Sequence, residues 1–316
     1  MNIIGPDYLV FAIDDLAVGA QFLVDYGLED QGNGLFTALD GTGVIIRQTD
    51  DPGLPKWPLP TTNQLRKTIY GVADQATLDA IRAELASDRE VKILADGSLE
   101  SVDDMGFVLG FQVTVRRKLD IPGELANAPG VPQRGFNVNG VDCSTNPPPT
   151  PKPRSLSHVV YFVPDFEKAE SFYIKRLGFR LVDRFVGMGP FLRPAGCIDH
   201  HTMFLIQTPA HMQGCEHFTF HMGGPSEVLL AGQNLQRKGY ESFWGPGRHR
   251  FGSNWFWYFN TPFGAHIEYD ADMDLHDDSW VPRVEQAQSD RSQIFLFHWR
   301  ETWAPGDPPP KTMLPG

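Results

Sequence analysis

The chain writes one pattern four times. Each copy is a short apolar run, then an Asp or Ser, an amphipathic stretch, a Gly stop and further apolar runs. "YLVFAI" leads to Asp15 and a helix that ends near Gly27. "TIYGVA" leads to Asp74 and a helix with Leu78, Ile81 and Leu85 on one face. "HVVYFV" leads to Asp165 and a helix with Phe166, Ala169 and Tyr173, stopped at Gly178. "HFTFHM" leads to Ser226 and a helix stopped at Gly239. Caps, stops and the i, i+3, i+7 spacing predict the helices. A recurring unit of roughly 50–60 residues signals duplication. One such unit cannot bury its own sheet; two together can share a curved sheet with helices outside. The expectation is an α+β chain of two domains, each a pair of βαβββ modules in a barrel-like mixed sheet.

Residues 144–155, "STNPPPTPKPRS", hold five prolines and read as an extended linker. The expected division is 1–143, the linker 144–155, a second domain 156–280 and a C-terminal tail 281–316. The halves align through Asp15 and Asp165, which also places Phe22 over Phe172 and Tyr8 over His158. Their last strands align with Gly110 on Glu268. The run that begins at His217 falls near "KTIYGV", which has no His. Three polar positions of the second half are thus lost together in the first, as when only one copy of a duplicated domain keeps a site. All ten histidines lie at or beyond position 158.

Composition narrows the function classes. A formal net charge of −12 argues against a nucleic-acid partner, which needs clustered Lys and Arg. No apolar run approaches the roughly 20 residues that span a bilayer. The first residues lack the basic and small-residue features of a signal peptide. Cys143, Cys197 and Cys215 are too scattered for a disulfide framework or a C-x-x-C pair. A cytoplasmic protein is expected.

"FGAHIEYDADMD" at 263–274 raises a chemical question. On a strand, His266, Glu268 and Asp270 share one face. Unpaired buried charge is costly, so the face is wet or it meets a cation. Taken alone, the three are equal candidates. The duplication singles out Glu268, with His158 and His217 at matching strand starts. Two imidazoles and one carboxylate with open positions form the facial triad of non-haem iron enzymes, although imidazole suits Fe, Mn, Co and Zn alike. His266 is expected to be structural, since a fourth protein ligand would block substrate.

The segments "SLSHVVYFVPDFEKAESFYIKRLGF", "DHHT", "EHFTF", "GPGRH" and "WFWYFNTPFGAHIEYD" resemble the vicinal oxygen chelate superfamily, and within it the type I extradiol catechol dioxygenases. The resemblance covers the chain to about residue 280 and implies a metal-free first domain. It implies that His158, His217 and Glu268 hold Fe(II), with Mn(II) as the alternative. It implies acid–base work for His200, chosen over its neighbour His201 on motif register. It also implies that His249 and Tyr258 bond a substrate oxygen. The implied reaction is meta-cleavage of a catecholic ring with O2, in aromatic compound degradation. A glyoxalase-like isomerase of this fold is the alternative; that class generally uses two carboxylate ligands, and only Glu268 is well placed here. Trp244, Trp255, Trp257 and Phe191 are candidates to line the pocket. Trp280, Trp299 and Trp303 suggest that the tail covers the site or makes a homo-oligomer contact.

Overall fold

The computed structural model describes residues 1–56, 64–288 and 291–297. The four copies are four βαβββ units. The first is β1 (Ile3–Ile13), α1 (Leu16–Tyr26), β2 (Glu29–Asp30), β3 (Leu35–Thr37) and β4 (Gly43–Gln48). The second is β5 (Leu65–Val72), α2 (Gln75–Leu85), β6 (Lys92–Ile93), β7 (Leu99–Val102) and β8 (Val108–Val113). The third is β9 (Ser155–Val163), α3 (Phe166–Leu177), β10 (Arg180–Val186), β11 (Gly189–Arg193) and β12 (Met203–Gln207). The fourth is β13 (Gly214–His221), α4 (Pro225–Arg237), β14 (Ser242–His249), β15 (Trp255–Phe259) and β16 (His266–Ala271).

Local chemistry sets the helix ends. The carboxylates of Asp15, Asp74 and Asp165 accept the backbone N–H groups of Val18, Thr77 and Lys168 at the first turns. Gly27 and Gly178 close α1 and α3 in the left-handed conformation that L side chains resist. The fourth helix departs from expectation. It begins at Pro225, which lacks an N–H and suits the first helical turn. Ser226 is not its cap; its N–H and hydroxyl both bond Glu124 from the first half of the chain.

Units one and two form an eight-stranded sheet, β2-β3-β4-β1-β5-β8-β7-β6. Units three and four form a ten-stranded sheet with two additions, β17 (Arg283–Gln286) and β18 (Gln293–Leu296). Its order is β17-β10-β11-β12-β9-β13-β16-β15-β14-β18. Residues expected in a tail thus extend both ends of this sheet. Trp280 donates its indole N–H to the Val182 carbonyl at 3.0 Å. His298, Trp299 and Trp303 lie outside the described residues. Residues 114–154 carry no helix or strand, only an isolated bridge between Ala128 and Val131. No helix among the described residues is long and apolar enough to cross a membrane.

Alternation along β9 separates two environments. Leu156, Val159, Tyr161 and Val163 enter one large core that runs through both sheets and the helices, whereas Val160 belongs to a second cluster with Phe185, Phe191, Phe204 and Phe251. Helix α1 reaches across from the first half. Its Tyr26 ring stacks on Tyr269 of β16 with centroids 4.0 Å apart, and its hydroxyl donates to the Glu268 carbonyl at 2.7 Å. The strand that carries Glu268 is therefore braced from behind by the other half of the chain.

Candidate metal site and cavity

Five neighbouring strands of the second sheet each deliver one side chain to the same place. β9 brings His158, β13 His217, β16 Glu268, β15 Tyr258 and β14 His249. His158, His217 and Glu268 are all buried, and one ligand atom from each lies within 4.8 Å of the others. The His158 and His217 Nε2 atoms stand 3.2 and 3.6 Å from Glu268 Oε2. Thr219 bridges two of them, donating to Glu268 Oε2 at 2.6 Å and lying 2.9 Å from His158 Nε2.

Both histidines are held by the other ring nitrogen. His158 Nδ1 lies 2.9 Å from the Ser157 hydroxyl, and His217 Nδ1 contacts Glu216. Each Nε2 is thereby turned toward the centre, the arrangement expected behind metal ligands. Glu216 also holds His266 Nδ1 at 2.9 Å, so His266 is a supporting residue, stacked on Phe243.

Electrostatics fit a cation. Burial pushes the Glu268 carboxyl up, yet His158, His249 and His217 outweigh it and hold the group well below the usual carboxylate range. Burial lowers His158. Burial pulls His217 down too, but Glu216 and Glu268 outweigh it and raise the imidazole. Burial also opposes ionisation of Glu216, while His217 and His266 bring it to about 2. His217 Nε2 and Glu268 Oε1 are buried without hydrogen-bond partners. Such orphans are rare and costly. Two of them converging on one point leave the gap that a divalent metal fits, and His, His, Glu is a donor set that suits one.

The site opens into a cavity of about 450 Å³. Its apolar wall includes Val160, Phe162, Phe185, Phe191, Phe204 and Trp244. Among the described residues its polar lining is His158, His201, Glu216, His217, His249, Tyr258 and Ser292. His249 Nε2 lies 3.0 Å from the Tyr258 hydroxyl and 3.4 Å from Glu268 Oε1. Of the other tryptophans considered, Trp257 packs against Gly232 of α4 and Trp255 against Phe295 and Phe297. Arg248 pairs with Asp272 at 2.8 Å rather than facing the cavity.

One expectation is reversed. His201, not His200, faces the site. The His201 ring lies 4.3 Å from the His158 ring, centroid to centroid, and lines the cavity. Burial, with His158 and His200 beside it, holds His201 well below its ordinary range. His200 sits one layer behind, fully buried, between Asp183 Oδ2 at 2.7 Å and His201 Nδ1 at 2.9 Å. The pair precedes β12, and the chain there is fixed by the His200 N–H bond to the Asp274 carbonyl. That geometry, which motif register does not contain, selects which ring turns inward.

Glu216, Thr219 and Asp183 were not expected at the site. Glu216 adjoins His217, and strict alternation would send it to the other face. A register shift between Cys215 and His217 lets both line the cavity. The only sequence signal for it was its place in "EHFTF".

The first sheet shows what replaces the site. Glu268 stands across from Thr219 and Tyr258; in the same register Gly110 stands across from Ile69 and Glu100. Two residues before Ile69, at the His217 position, is Lys67, which pairs with Glu100 at 3.0 Å. An internal ion pair occupies the silent copy.

Comparison with known proteins agrees with this geometry. The family model of the Glyoxalase/Bleomycin resistance protein/Dioxygenase superfamily matches residues 155–269. Metapyrocatechase 2 of Cupriavidus necator is 38% identical over 122 residues, a match that spans 39% of this chain and only 38% of that relative. Biphenyl-2,3-diol 1,2-dioxygenase of Paraburkholderia xenovorans (strain LB400) is 26% identical over 296 residues, covering 89% of this chain and 92% of the relative. The solved structure of the Mn(II)-bound glyoxalase from Novosphingobium aromaticivorans has the same fold, with a TM-score of 0.70, 22% identity and coverage of 92% of this chain and 90% of that one. The family likeness to the Glyoxalase/Bleomycin resistance protein/Dioxygenase superfamily thus lies over residues 155–269, the part of the chain that carries the site.

Proposed function

We propose that the protein is a metal-dependent extradiol dioxygenase that opens a catecholic ring beside its two hydroxyls, with Fe(II) held by His158, His217 and Glu268. The observation that carries this reading is the meeting of two buried ligand atoms that make no hydrogen bond, His217 Nε2 and Glu268 Oε1, beside a largely apolar cavity. Mn(II) fits the same donors.

A bound divalent metal supplies Lewis acidity that makes catechol hydroxyls easy to deprotonate and, as iron, a redox-active centre for O2 chemistry. The remaining work falls to the chain. His158, His217 and Glu268 would hold the metal and, as only three ligands, would leave it accessible to substrate. The walls of Phe191, Phe204 and Val160 hold the ring and keep out water. Tyr258 and His249, in contact with each other, hydrogen-bond one substrate oxygen and keep its ring oriented. His201 faces the cavity from beside His158 and moves a proton at Nε2, as general acid–base residues do. The balanced reaction consumes one O2 per ring, breaks one C–C bond next to the diol and leaves both oxygen atoms in the product.

The isomerase reading would need a second carboxylate. Glu216 is the nearest, but His217 and His266 engage its two oxygens.

The test is anaerobic purification, addition of Fe(II), and oxygen uptake with a panel of catechols. Oxygen consumption with a yellow ring-opened product supports the reading. Iron bound at one per chain with no oxygen uptake from any catechol refutes it.

A further inference from the structure

His200 is fully buried, and both of its ring nitrogens are engaged. Nε2 lies 2.7 Å from Asp183 Oδ2 and Nδ1 lies 2.9 Å from His201 Nδ1. Asp183 is fully buried as well. Arg283 of β17 clamps it. The Arg283 backbone N–H donates to Asp183 Oδ1 at 2.8 Å, and its guanidinium donates to Oδ2 at 2.5 Å. Arg283 and Asp183 are register partners in the sheet, and the guanidinium also lies over the rings of Phe251 and Trp280.

Hydrogen-bond logic orders the protons. Two imidazole nitrogens in contact need one donor and one acceptor. Burial pushes the Asp183 carboxyl up, but His200 and Arg283 outweigh it and keep the group ionised, so it only accepts. His200 must then carry its hydrogen on Nε2. Burial favours neutral His200 despite the aspartate. Neutral His200 has a bare Nδ1, which accepts from His201 Nδ1–H. His201 is left with no hydrogen on Nε2, the nitrogen that remains for the cavity.

We propose that Asp183 and His200 are positioning residues that fix the ring orientation and tautomer of His201, so that it presents a bare Nε2 lone pair to the substrate hydroxyl. A neutral imidazole without this chain could adopt either tautomer, and only one accepts a proton at the cavity side. Arg283 completes the chain, so a strand beyond the fourth unit contributes to the site. The catalytic consequence rests on the proposed dioxygenase role of the cavity; the tautomer does not.

The experiment uses the full-length protein labelled with [15N]histidine, metal-free and loaded with Zn(II) as a diamagnetic substitute. Ring 1H–15N correlations report which nitrogen of His201 is protonated. The expected result is a protonated Nδ1 and a bare Nε2; a protonated Nε2 overturns the proposal. Asp183→Asn should disturb the pattern. Oδ1 and Oδ2 both accept from Arg283, so either amide orientation sets its NH2 against an Arg283 donor, loosens the hold on His200 and leaves His201 in a mixture of tautomers. In the Fe(II) enzyme D183N should keep one iron per chain, lose kcat by about tenfold to a hundredfold, and keep KM within about threefold. Unchanged kcat, or an unchanged His201 signature, refutes the assignment. If D183N does not fold, His200→Phe and His200→Gln decide. Phe removes the acceptor and should reproduce the kcat loss; Gln offers an amide oxygen to the same N–H and should recover most of it. Equal rates in H200F, H200Q and wild type overturn the proposal. A wild type without oxygen uptake but with the stated tautomer would sink the function and leave the geometry standing.

Discussion

Gly110 and Glu268 hold the same register position in the two sheets, one facing Ile69 and the other Thr219. The duplication thus built two cups, and the loss of this carboxylate together with the two histidines, at Tyr8 and Lys67, leaves one of them without the donor set. Restoring the residue alone should not restore the site. A Cβ on Gly110 would meet Ile69 Cγ1 at 3.0 Å, and the neighbouring Lys67 is committed to Glu100. Gly110→Glu should cost about 2 kcal/mol or more through overpacking and a buried charge, and should bind no second iron. Urea denaturation and metal analysis check both halves of the statement.

Thr219 holds Glu268 and His158 in place without being expected as a ligand. Thr219→Val keeps the side-chain shape and removes the donor. Iron affinity should fall about 10- to 100-fold, as for other supports behind metal ligands. Competition against a chelator measures it; an unchanged dissociation constant would show that the triad is set by packing alone.

Tyr26 braces the Glu268 strand from the other half of the chain, through a stacked Tyr269 and a hydrogen bond to the Glu268 carbonyl. Tyr26→Phe keeps the stack and loses only the bond. The expected cost is about 1–2 kcal/mol of stability, accompanied by weaker iron binding. Loss of stability with full iron affinity would mean that the brace supports the fold and not the site.

Asp103 predicts a pH dependence unrelated to the metal. Burial raises its carboxyl to about 6, against Tyr173 and the Phe107 and Met105 N–H groups, which lower it. The unfolded value is about 3.9. Between about pH 4 and pH 6 the folded chain therefore holds a proton that the unfolded chain releases. Stability falls as pH rises through that window and is lowest, from this group, above it, by on the order of 2–3 kcal/mol. Asp103→Asn keeps an oxygen for the two N–H donors and should flatten the dependence. Urea midpoints from pH 4 to 7.5 test it; parallel curves for variant and wild type would contradict it.

What could be read in the sequence follows from how local its cause is. Asp15, Asp74 and Asp165 cap helices through neighbours three residues away, so the spacing shows them. Gly110 against Glu268 shows because duplication places two versions of one position in a single chain. Ser226 misled, since its partner Glu124 lies about a hundred residues earlier and Pro225 already begins the helix. Glu216 was hidden by a register shift that alternation cannot see. His200 and His201 differ only in which ring the short segment before β12 turns inward, a decision made by Asp183 on β10 and Asp274 in the segment after β16. Arg283 lay in a region read as tail, where nothing in its neighbours marks a strand.

Labelled oxygen reports whether the ring is opened by O2 at this site. The Fe(II)-loaded protein is given a catechol under 18O2, and the product is analysed by mass spectrometry. The expected result is one O2 consumed per catechol and two 18O atoms in a product opened beside the diol, with no such product from Glu268→Ala. Iron bound in the wild type with an intact catechol, or a product carrying no 18O, would contradict it.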